Sequence, residues 1–287
     1  MLRARRRTWA VLGLTGPAYL WLAVAIFLPL SAMLYFSFLT VAPFGGREAT
    51  ATLKHYQAFL DRDFYQVLTW RSLQLGLHVT FWCIVIGYPA ALALARHVPG
   101  RWREALLLMV VLPFWSNALV RVFSWTMVLR EGGLLDSAVR VIVPGMESLD
   151  LLFTYDAIVI GLVHSFLPYM ILTCYVSLQA IDGALIEAAR TLGASGWVIF
   201  RRIILPLSVP GLFAGVILTF VPVIGSFMEA RILGGRAGTL LGTVIEDQFT
   251  VVFNWPRGAA LSFILLAIVL LILAVAWPGL RRHLPQG

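Results

Sequence analysis

Six long apolar segments constrain this chain more than any other feature of its sequence. Each is long enough to cross a bilayer, because a spanning helix needs roughly 20 largely apolar residues. Only backbones that satisfy their own hydrogen bonds cross lipid, which favours helices over open sheets. The sequence therefore predicts an all-α, polytopic membrane protein with six transmembrane helices, at about 11–39, 72–95, 104–129, 156–180, 207–228 and 259–280.

The composition agrees with a chain that lies mostly in lipid. Its 287 residues are 60% hydrophobic and only 13% charged, whereas soluble domains carry about 25% charged residues. The first apolar segment is too long for the core of a signal peptide, so it is predicted to be a retained anchor. The Cys and His residues show no metal-ligand spacing, and no metal site is predicted.

The positive charges between the segments predict an orientation. With the N-terminus inside the cell, the inner connections carry twelve arginines against three acids, and the outer ones carry nine Lys or Arg against eleven acids. Short cytoplasmic loops of membrane proteins are enriched in basic residues. Both termini are therefore predicted to be cytoplasmic. Because topology explains the net charge of +8, no nucleic-acid partner is expected.

One basic stretch, EAARTLGASGWVIFRRIILP at 187–206, interrupts the apolar pattern between the fourth and fifth segments. Strong helix formers predict a short helix over 186–192 with an apolar face. Gly193 is suited to end that helix in a left-handed conformation, and Pro206 is expected to set the turn into the fifth span. The residues alone leave two interpretations open, a helix lying on lipid headgroups or one docking in a partner's groove.

The spacing within this stretch resembles a known signature. Glu-Ala-Ala, three residues, Gly, nine residues, Ile, one residue and Leu-Pro match the cytoplasmic loop of permeases in binding-protein-dependent ABC importers. The resemblance implies a type I ABC importer permease fold whose coupling loop, at about 183–206, docks on an ATPase subunit. The coupling residues it implies are Glu187, Ala188, Ala189, Gly193, Ile203, Leu205 and Pro206.

Six further stretches are PFWSNALVR at 113–121, GGLL at 132–135, PVIG at 222–225, LGG at 233–235, DQF at 247–249 and NWP at 254–256. They resemble the corresponding stretches of the spermidine/putrescine permeases of that family. The resemblance implies an inner-membrane permease for a small polar solute, with a polyamine such as spermidine or putrescine favoured. The family usually carries an aliphatic–Pro–acid stretch before Leu-Gly-Gly, whereas this chain has Met228-Glu-Ala-Arg231. Another small solute, such as an amino-acid derivative or another organic ion, is therefore the alternative.

The resemblance also implies a domain organisation and partners. Residues 1–66 would form an anchor helix with the first external loop, and residues 67–283 the five-helix permease core. The expected partners are a dimeric cytoplasmic ATP-binding subunit, a second permease in a heterodimer, and an extracytoplasmic binding protein. The sequence contains no G-x-x-x-x-G-K-[ST] motif. The chain is therefore predicted to be no enzyme and to bind no cofactor, with ATP and Mg²⁺ held by the partner ATPase.

Polar residues inside the spans predict where the solute passes, because ionisable groups in a membrane usually face the bundle interior or water. The predicted pathway residues are Trp115, Asn117, Arg121, Phe227 and Glu229. A structural role for Arg121, bonding exposed carbonyls or snorkelling to the interface, remains open. An ion-coupled secondary carrier is the alternative class of protein. It would require deep intramembrane carboxylates, and the six segments contain none.

Overall fold

The computed structural model describes residues 2–42, 48–143 and 148–281. These parts are almost entirely helical, and their only β-type pairing is an isolated bridge between Leu39 and Ala51. The all-α prediction is confirmed. Arg47 and Arg282, which contributed to the predicted orientation, lie outside the described residues, as does the predicted end of the permease core at 283.

The helices are labelled here in chain order. They are α1 (Leu2–Ser37), α2 (Lys54–Asp61), α3 (Asp63–Arg96), α4 (Gly100–Val111), α5 (Ala118–Leu129), α6 (Leu134–Ile142), α7 (Tyr155–Gln179), α8 (Gly183–Thr191), α9 (Gly196–Ile199), α10 (Leu205–Ile224), α11 (Met228–Gly234), α12 (Leu241–Thr250) and α13 (Trp255–Arg281). A 3₁₀ turn at Leu112–Trp115 follows α4, and a π-helical turn at Phe200–Ile204 joins α9 to α10.

Five helical segments in the described residues are long and apolar enough to cross a membrane. They are Thr15–Ser37, Asp63–Arg96, Tyr155–Gln179, Gly196–Ile224 and Trp255–Ala276. They confirm the first, second, fourth, fifth and sixth predicted spans. The fifth differs in its ends, because its helix starts within the basic stretch and finishes at Ile224, where Gly225 follows.

The third predicted span, 104–129, is not one helix. Gly100–Trp115 and Ala118–Ile142 meet at an angle of 96°. The break has a local cause, because Pro113 has no backbone N–H to donate to the preceding turn. Ser116 and Asn117 are extended, and the Asn117 side chain then caps α5 by accepting from the Leu119 N–H at 2.8 Å. We call this bent pair of helices, which has the form of a broken span or a re-entrant loop, the broken span.

The turn predicted at Pro206 is also wrong, since the chain remains helical from Gly196 to Ile224. The preceding π-helical turn explains how a proline is accommodated there. The Leu205 N–H donates to the Phe200 carbonyl, five residues back. This wider turn reduces the need for the N–H that Pro206 lacks, so the helix continues through the proline.

The described chain divides into two compact units. One comprises the part up to Asp63 together with Ile245–Ala267, and the other Phe64–Val244 with the part from Ile268 onward. In the first unit a buried histidine holds a turn, as the His55 Nε2 lies 3.1 Å from the Leu39 carbonyl oxygen. The predicted domain boundary at residue 66 stays a prediction.

The second unit is built on close packing between α7 and α10. Two glycines spaced i and i+4 permit the approach of the helices. A Cβ on Gly211 would lie 2.3 Å from the Ser177 Cβ, and one on Gly215 would lie 2.6 Å from the Met170 Sδ. Small residues allow such close contact between membrane helices, where dispersion forces contribute most of the stability.

Candidate functional site

The predicted coupling loop folds into a helix, α8, with both ends capped. At its start the Asp182 Oδ1 accepts a hydrogen bond from the Ala184 N–H at 2.9 Å. At its end the Gly193 N–H donates to the Arg190 carbonyl at 2.9 Å, and the Ala194 N–H donates to the Ala189 carbonyl at 3.0 Å. Gly193 has a φ of +78°. This pair of bonds around a left-handed glycine is a Schellman motif, which confirms the predicted helix end.

The two faces of α8 differ sharply in burial. Ile186 is 8% exposed and anchors the helix, whereas Leu192, just past its end, is 88% exposed. Leu185 and Trp197 are also exposed large apolar side chains. The predicted apolar face over 186–192 is therefore split, because six residues at 3.6 per turn place Leu192 about 120° around the helix axis from Ile186. The exposed side chains form what we call the loop surface, comprising Leu185, Glu187, Ala188, Leu192 and Trp197.

Glu187 lies on this surface and forms an ion pair within the helix. Its Oε1 accepts from the Arg190 Nη1 at 2.8 Å, and both side chains are largely exposed. Exposed ion pairs contribute little to stability, typically below about 1 kcal/mol. The Glu187 carboxylate is therefore accessible to a partner at small cost.

The rest of the signature lies on the return helix. Ser195 caps α9, accepting from the Val198 N–H at 3.5 Å, and the Trp197 ring stacks on Phe200 at 5.6 Å. Ile203, Leu205 and Pro206 are partly buried. Of these, Leu205 packs against the buried core of the bundle. A groove of about 730 Å³ lies between the loop and the end of α3, lined among others by Leu92, Arg96, Ile186, Glu187 and Trp197.

Arg96 is the last residue of α3, and the sequence indicates for it only the positive charge of a cytoplasmic loop. Its Nη2 donates to the Leu178 carbonyl at 2.9 Å and to the Ile181 carbonyl at 3.1 Å. These carbonyls belong to the end of α7 and the corner before α8. The sequence predicts an arginine at the end of a helix. It does not predict that this arginine bonds to another helix end more than eighty residues away.

Around the broken third span, the structure gives two of the predicted pathway residues specific local bonds. Asn117 caps α5, and the Arg121 Nη1 donates to the Pro113 carbonyl at 2.9 Å. This bond to an exposed carbonyl is the structural role for Arg121 that the sequence left open. The same arginine lines a cavity of about 320 Å³ with Trp125 and His164. Trp115 is 86% exposed, and a role for all three residues in solute passage stays a prediction.

The other two predicted pathway residues lie around the start of α11. Phe227 is exposed, whereas Glu229 is buried, and its Oε2 accepts from the Ser226 Oγ at 2.8 Å. In the described parts of the chain no hydrogen bond or ion pair joins Glu229 to Arg121. The two parts of the predicted pathway are therefore not joined by a direct polar bond, although α5 and α11 pack together through Val122 and Leu233.

Asp136 is a buried acid that the sequence did not single out. It accepts from the Leu149 N–H at 2.9 Å and the Gly132 N–H at 3.1 Å, and its carboxylate pairs with Arg140 at 3.0 Å. These bonds fasten Gly132 and Leu149 to the first turn of α6. The sequence signal was weak, since an Asp and an Arg four residues apart are common on exposed helices.

Long apolar helices, a broken span and a capped helix on a loop between two spans define a multi-span membrane protein. Residues 84–282 match the family described as binding-protein-dependent transport system inner membrane component. The chain belongs to this family. It is a multi-pass permease subunit of an ABC importer in the inner membrane, it depends on a binding protein, and it is not an enzyme. The secondary-carrier alternative is wrong.

Several relatives are similar over most of their length. The spermidine/putrescine transport system permease protein PotB of Escherichia coli K12 is 37% identical over 261 residues, which cover 91% of this chain and 94% of PotB. PotB of Haemophilus influenzae is 37% identical over 89% of this chain and 88% of its own. The inner membrane ABC transporter permease protein YdcU of E. coli K12 is 27% identical over 91% and 86%.

Solved structures agree in fold. A chain of a bacterial ABC transporter that imports the acidic polysaccharide alginate superposes with a TM-score of 0.75 at 16% identity, covering 98% of each chain. A chain of the MetNI methionine ABC transporter gives a TM-score of 0.57 at 20% identity, covering 81% of this chain and 99% of the other. The expected ABC importer permease fold is confirmed.

Proposed function

We propose that this permease imports a polyamine such as spermidine or putrescine, delivered by an extracytoplasmic binding protein. The observation that carries the proposal is the 37% identity to PotB over 91% of the chain. One local feature supports a cationic cargo. The departure from the usual aliphatic–Pro–acid stretch still supplies an acid, Glu229, which is buried at the start of α11 with a single hydrogen-bond donor, Ser226.

In this proposal Trp115 and Phe227 supply exposed aromatic surface along the route, and Glu229 attracts the ammonium groups. Asn117 and Arg121 keep the broken span open by capping α5 and by bonding the Pro113 carbonyl. The Pro113 carbonyl solvates the Arg121 guanidinium, which keeps its full charge.

The cargo is tested by uptake into proteoliposomes that contain the complete transporter, its binding protein and internal ATP. Labelled spermidine and putrescine should accumulate, and an excess of a neutral amino acid should not compete. Glu229→Gln should lower spermidine uptake about tenfold, as expected for loss of a charge-assisted hydrogen bond. Glu131→Gln, the same change on an exposed carboxylate, is the control. Uptake of the amino acid instead of spermidine would contradict the proposal.

We further propose that the loop surface is the coupling surface. It docks on a dimeric ATP-binding subunit that holds ATP and Mg²⁺, while a second, different permease completes the pathway. The observation that supports docking is the loop surface itself, where Leu192 is 88% exposed just past the end of a helix that is capped at both ends. Apolar anchors on a preformed helix are typical of helix-in-groove recognition, with Glu187 as the charged contact.

Two substitutions test coupling, Glu187→Lys and Gly193→Asp. The first reverses the accessible charge, and the second places a side chain at a φ of +78°, which strains the helix end. Both variants should reach the membrane while uptake per ATP hydrolysed falls strongly. Arg190→Gln is the matched control, since it breaks the Glu187–Arg190 pair but keeps the carboxylate. Normal coupling in both variants, or equal loss in Arg190→Gln, would contradict docking through Glu187.

A further inference from the structure

Arg96 joins the end of one spanning helix to the end of another. Its Nη2 donates to the Leu178 carbonyl at 2.9 Å and to the Ile181 carbonyl at 3.1 Å. Leu178 lies in the last turn of α7, and Ile181 directly precedes Asp182, the residue that caps α8. A single side chain of α3 therefore holds the corner from which the coupling helix projects.

The physical basis of this contact is the chemistry of a helix end. The Leu178 carbonyl accepts a long backbone bond from the Ile181 N–H at 3.4 Å, and the last carbonyls of α7 carry the negative end of its dipole. A guanidinium suits this helix end, because it is permanently charged and presents several donors in a fixed plane. Leu178 and Ile181 are buried, so water replaces these bonds poorly. In the described part of the chain Arg96 has no carboxylate partner, and its charge is directed to these carbonyls.

The contact lies where three spans are already linked. The Tyr88 hydroxyl, two turns before Arg96 on α3, is 2.7 Å from the Ser208 Oγ of α10. The Ser177 Oγ of α7 donates to the Ser208 carbonyl at 3.4 Å. Leu92 and Arg96 also line the same groove as Ile186, the buried anchor of the coupling helix. A displacement of α8 therefore meets α3 directly through Arg96.

We propose that Arg96 is a positioning residue for energy coupling. It ties the α7–α8 corner to α3, so that movement imposed on the coupling helix is passed to α3 as well as to α7 and α10. This inference rests on the proposed docking of the loop surface on the ATPase. Without Arg96, the α7–α8 corner keeps its helical caps but moves relative to α3. ATP is still hydrolysed, but less solute is taken up per ATP.

Three variants test the proposal in the reconstituted transporter: Arg96→Met, Arg96→Lys and Arg103→Met. Arg103 is the matched control, because it is also partly buried with an unpartnered Nε, but its Nη2 donates only to the nearby Val98 carbonyl at 3.2 Å. The readouts are uptake per ATP hydrolysed, the rate of ATP hydrolysis, and co-purification of the ATPase. Together they separate coupling from assembly.

Arg96→Met should lower uptake per ATP about tenfold, as expected for loss of hydrogen bonds to a charged group, while the ATPase still co-purifies and hydrolyses ATP. Arg96→Lys, which keeps the charge, should restore part of the ratio, and Arg103→Met should match the unchanged protein. Normal coupling in Arg96→Met, an equal loss in Arg103→Met, or loss of ATPase co-purification would each overturn the proposal. Normal coupling in Glu187→Lys would instead contradict docking itself.

Discussion

The hydroxyl of Tyr88 lies 2.7 Å from the Ser208 Oγ, and this buried pair joins α3 to α10. Ser208 donates to the Leu205 carbonyl at 3.0 Å, so the Tyr88 hydroxyl is the donor to Ser208. The Tyr88 ring also packs edge-on against Phe200 at 6.3 Å. The pair therefore braces the π-helical turn through which the coupling loop returns to the bundle.

Tyr88→Phe should destabilise the protein without unfolding it. The substitution removes one buried interhelical hydrogen bond, which contributes about 0.6 kcal/mol in membrane proteins, and it keeps the ring contact with Phe200. Thermal unfolding of the purified transporter should show a small decrease in midpoint. Tyr169→Phe is the matched control, because the Tyr169 ring also packs edge-on against a phenylalanine, Phe114, with the ring centres 4.7 Å apart. An equal decrease in the control would show that the Tyr88–Ser208 bond contributes nothing specific.

Gly211→Ala adds only one methyl group, but it should strongly destabilise the packing of α7 against α10. The added Cβ would lie 2.3 Å from the Ser177 Cβ and 2.5 Å from the Thr173 carbonyl, so α7 and α10 must separate. Overpacking of this kind typically costs about 1–3 kcal/mol. The expected result is a lower yield of folded transporter in detergent, measured by size-exclusion chromatography. Gly100→Ala, where nothing lies within 4 Å, should give a normal yield, and equal yields of the two variants would contradict the packing described.

Acidification should loosen the turn that His55 holds. Burial, with smaller contributions from the charges of Lys54 and Arg257, lowers the pKa of His55, although its bond to Leu39 opposes the shift. As the pH falls, His55 is therefore protonated at a higher pH in the opened turn than in the closed turn. The contribution of neutral His55 to stability is complete above the ordinary value of about 6.5, and it is lost as the pH falls below that value.

Hydrogen exchange of the amides in this turn measures the effect. The Thr40 N–H donates to the Thr50 carbonyl at 2.9 Å, and the Thr52 N–H to the Phe38 carbonyl at 2.7 Å. Their protection, corrected for intrinsic exchange, should decrease between pH 7 and pH 5. His55→Gln keeps a donor but does not titrate, so its protection should not vary with pH. The same decrease in His55→Gln would remove histidine as the cause.

The predicted orientation is tested by thiol labelling in intact cells. Leu134 and Leu192 are both highly exposed, whereas the native Cys83 and Cys174 are buried. With both termini in the cytoplasm, a membrane-impermeant maleimide should label Leu134→Cys in intact cells and Leu192→Cys only after permeabilisation. The reverse pattern would invert the topology and place the loop surface outside the cell.

Much of this fold could be predicted from the sequence because lipid imposes a simple rule on long apolar runs. The fourth span, predicted at 156–180, is observed at Tyr155–Gln179, and Gly193 ends α8 as its position suggested. Hydropathy fails at the third span because it averages over residues and does not register that Pro113 lacks a donor. The turn predicted from Pro206 fails for another reason, because the π-helical turn that accommodates this proline is a detail of backbone bonding.

The candidate site was predictable only where its residues are neighbours in sequence. The coupling signature lies within twenty residues, so its spacing could be read directly. Arg96 bonds carbonyls 82 and 85 positions away, and carbonyl acceptors have no sequence signal. The sequence shows Arg121 as a charged residue within a predicted span. Its bond to Pro113 depends on a helix break that the apolar pattern does not predict.

The most direct test of the account is a cross-link from the coupling loop. A benzophenone-maleimide attached to Leu192→Cys in the complete transporter, and activated by light, should form an adduct that contains the ATP-binding subunit. The same reagent on Leu134→Cys should not. An adduct of Leu192→Cys with lipid alone, or with no ATPase in it, would contradict the central claim that this loop carries the force of ATP hydrolysis into the permease.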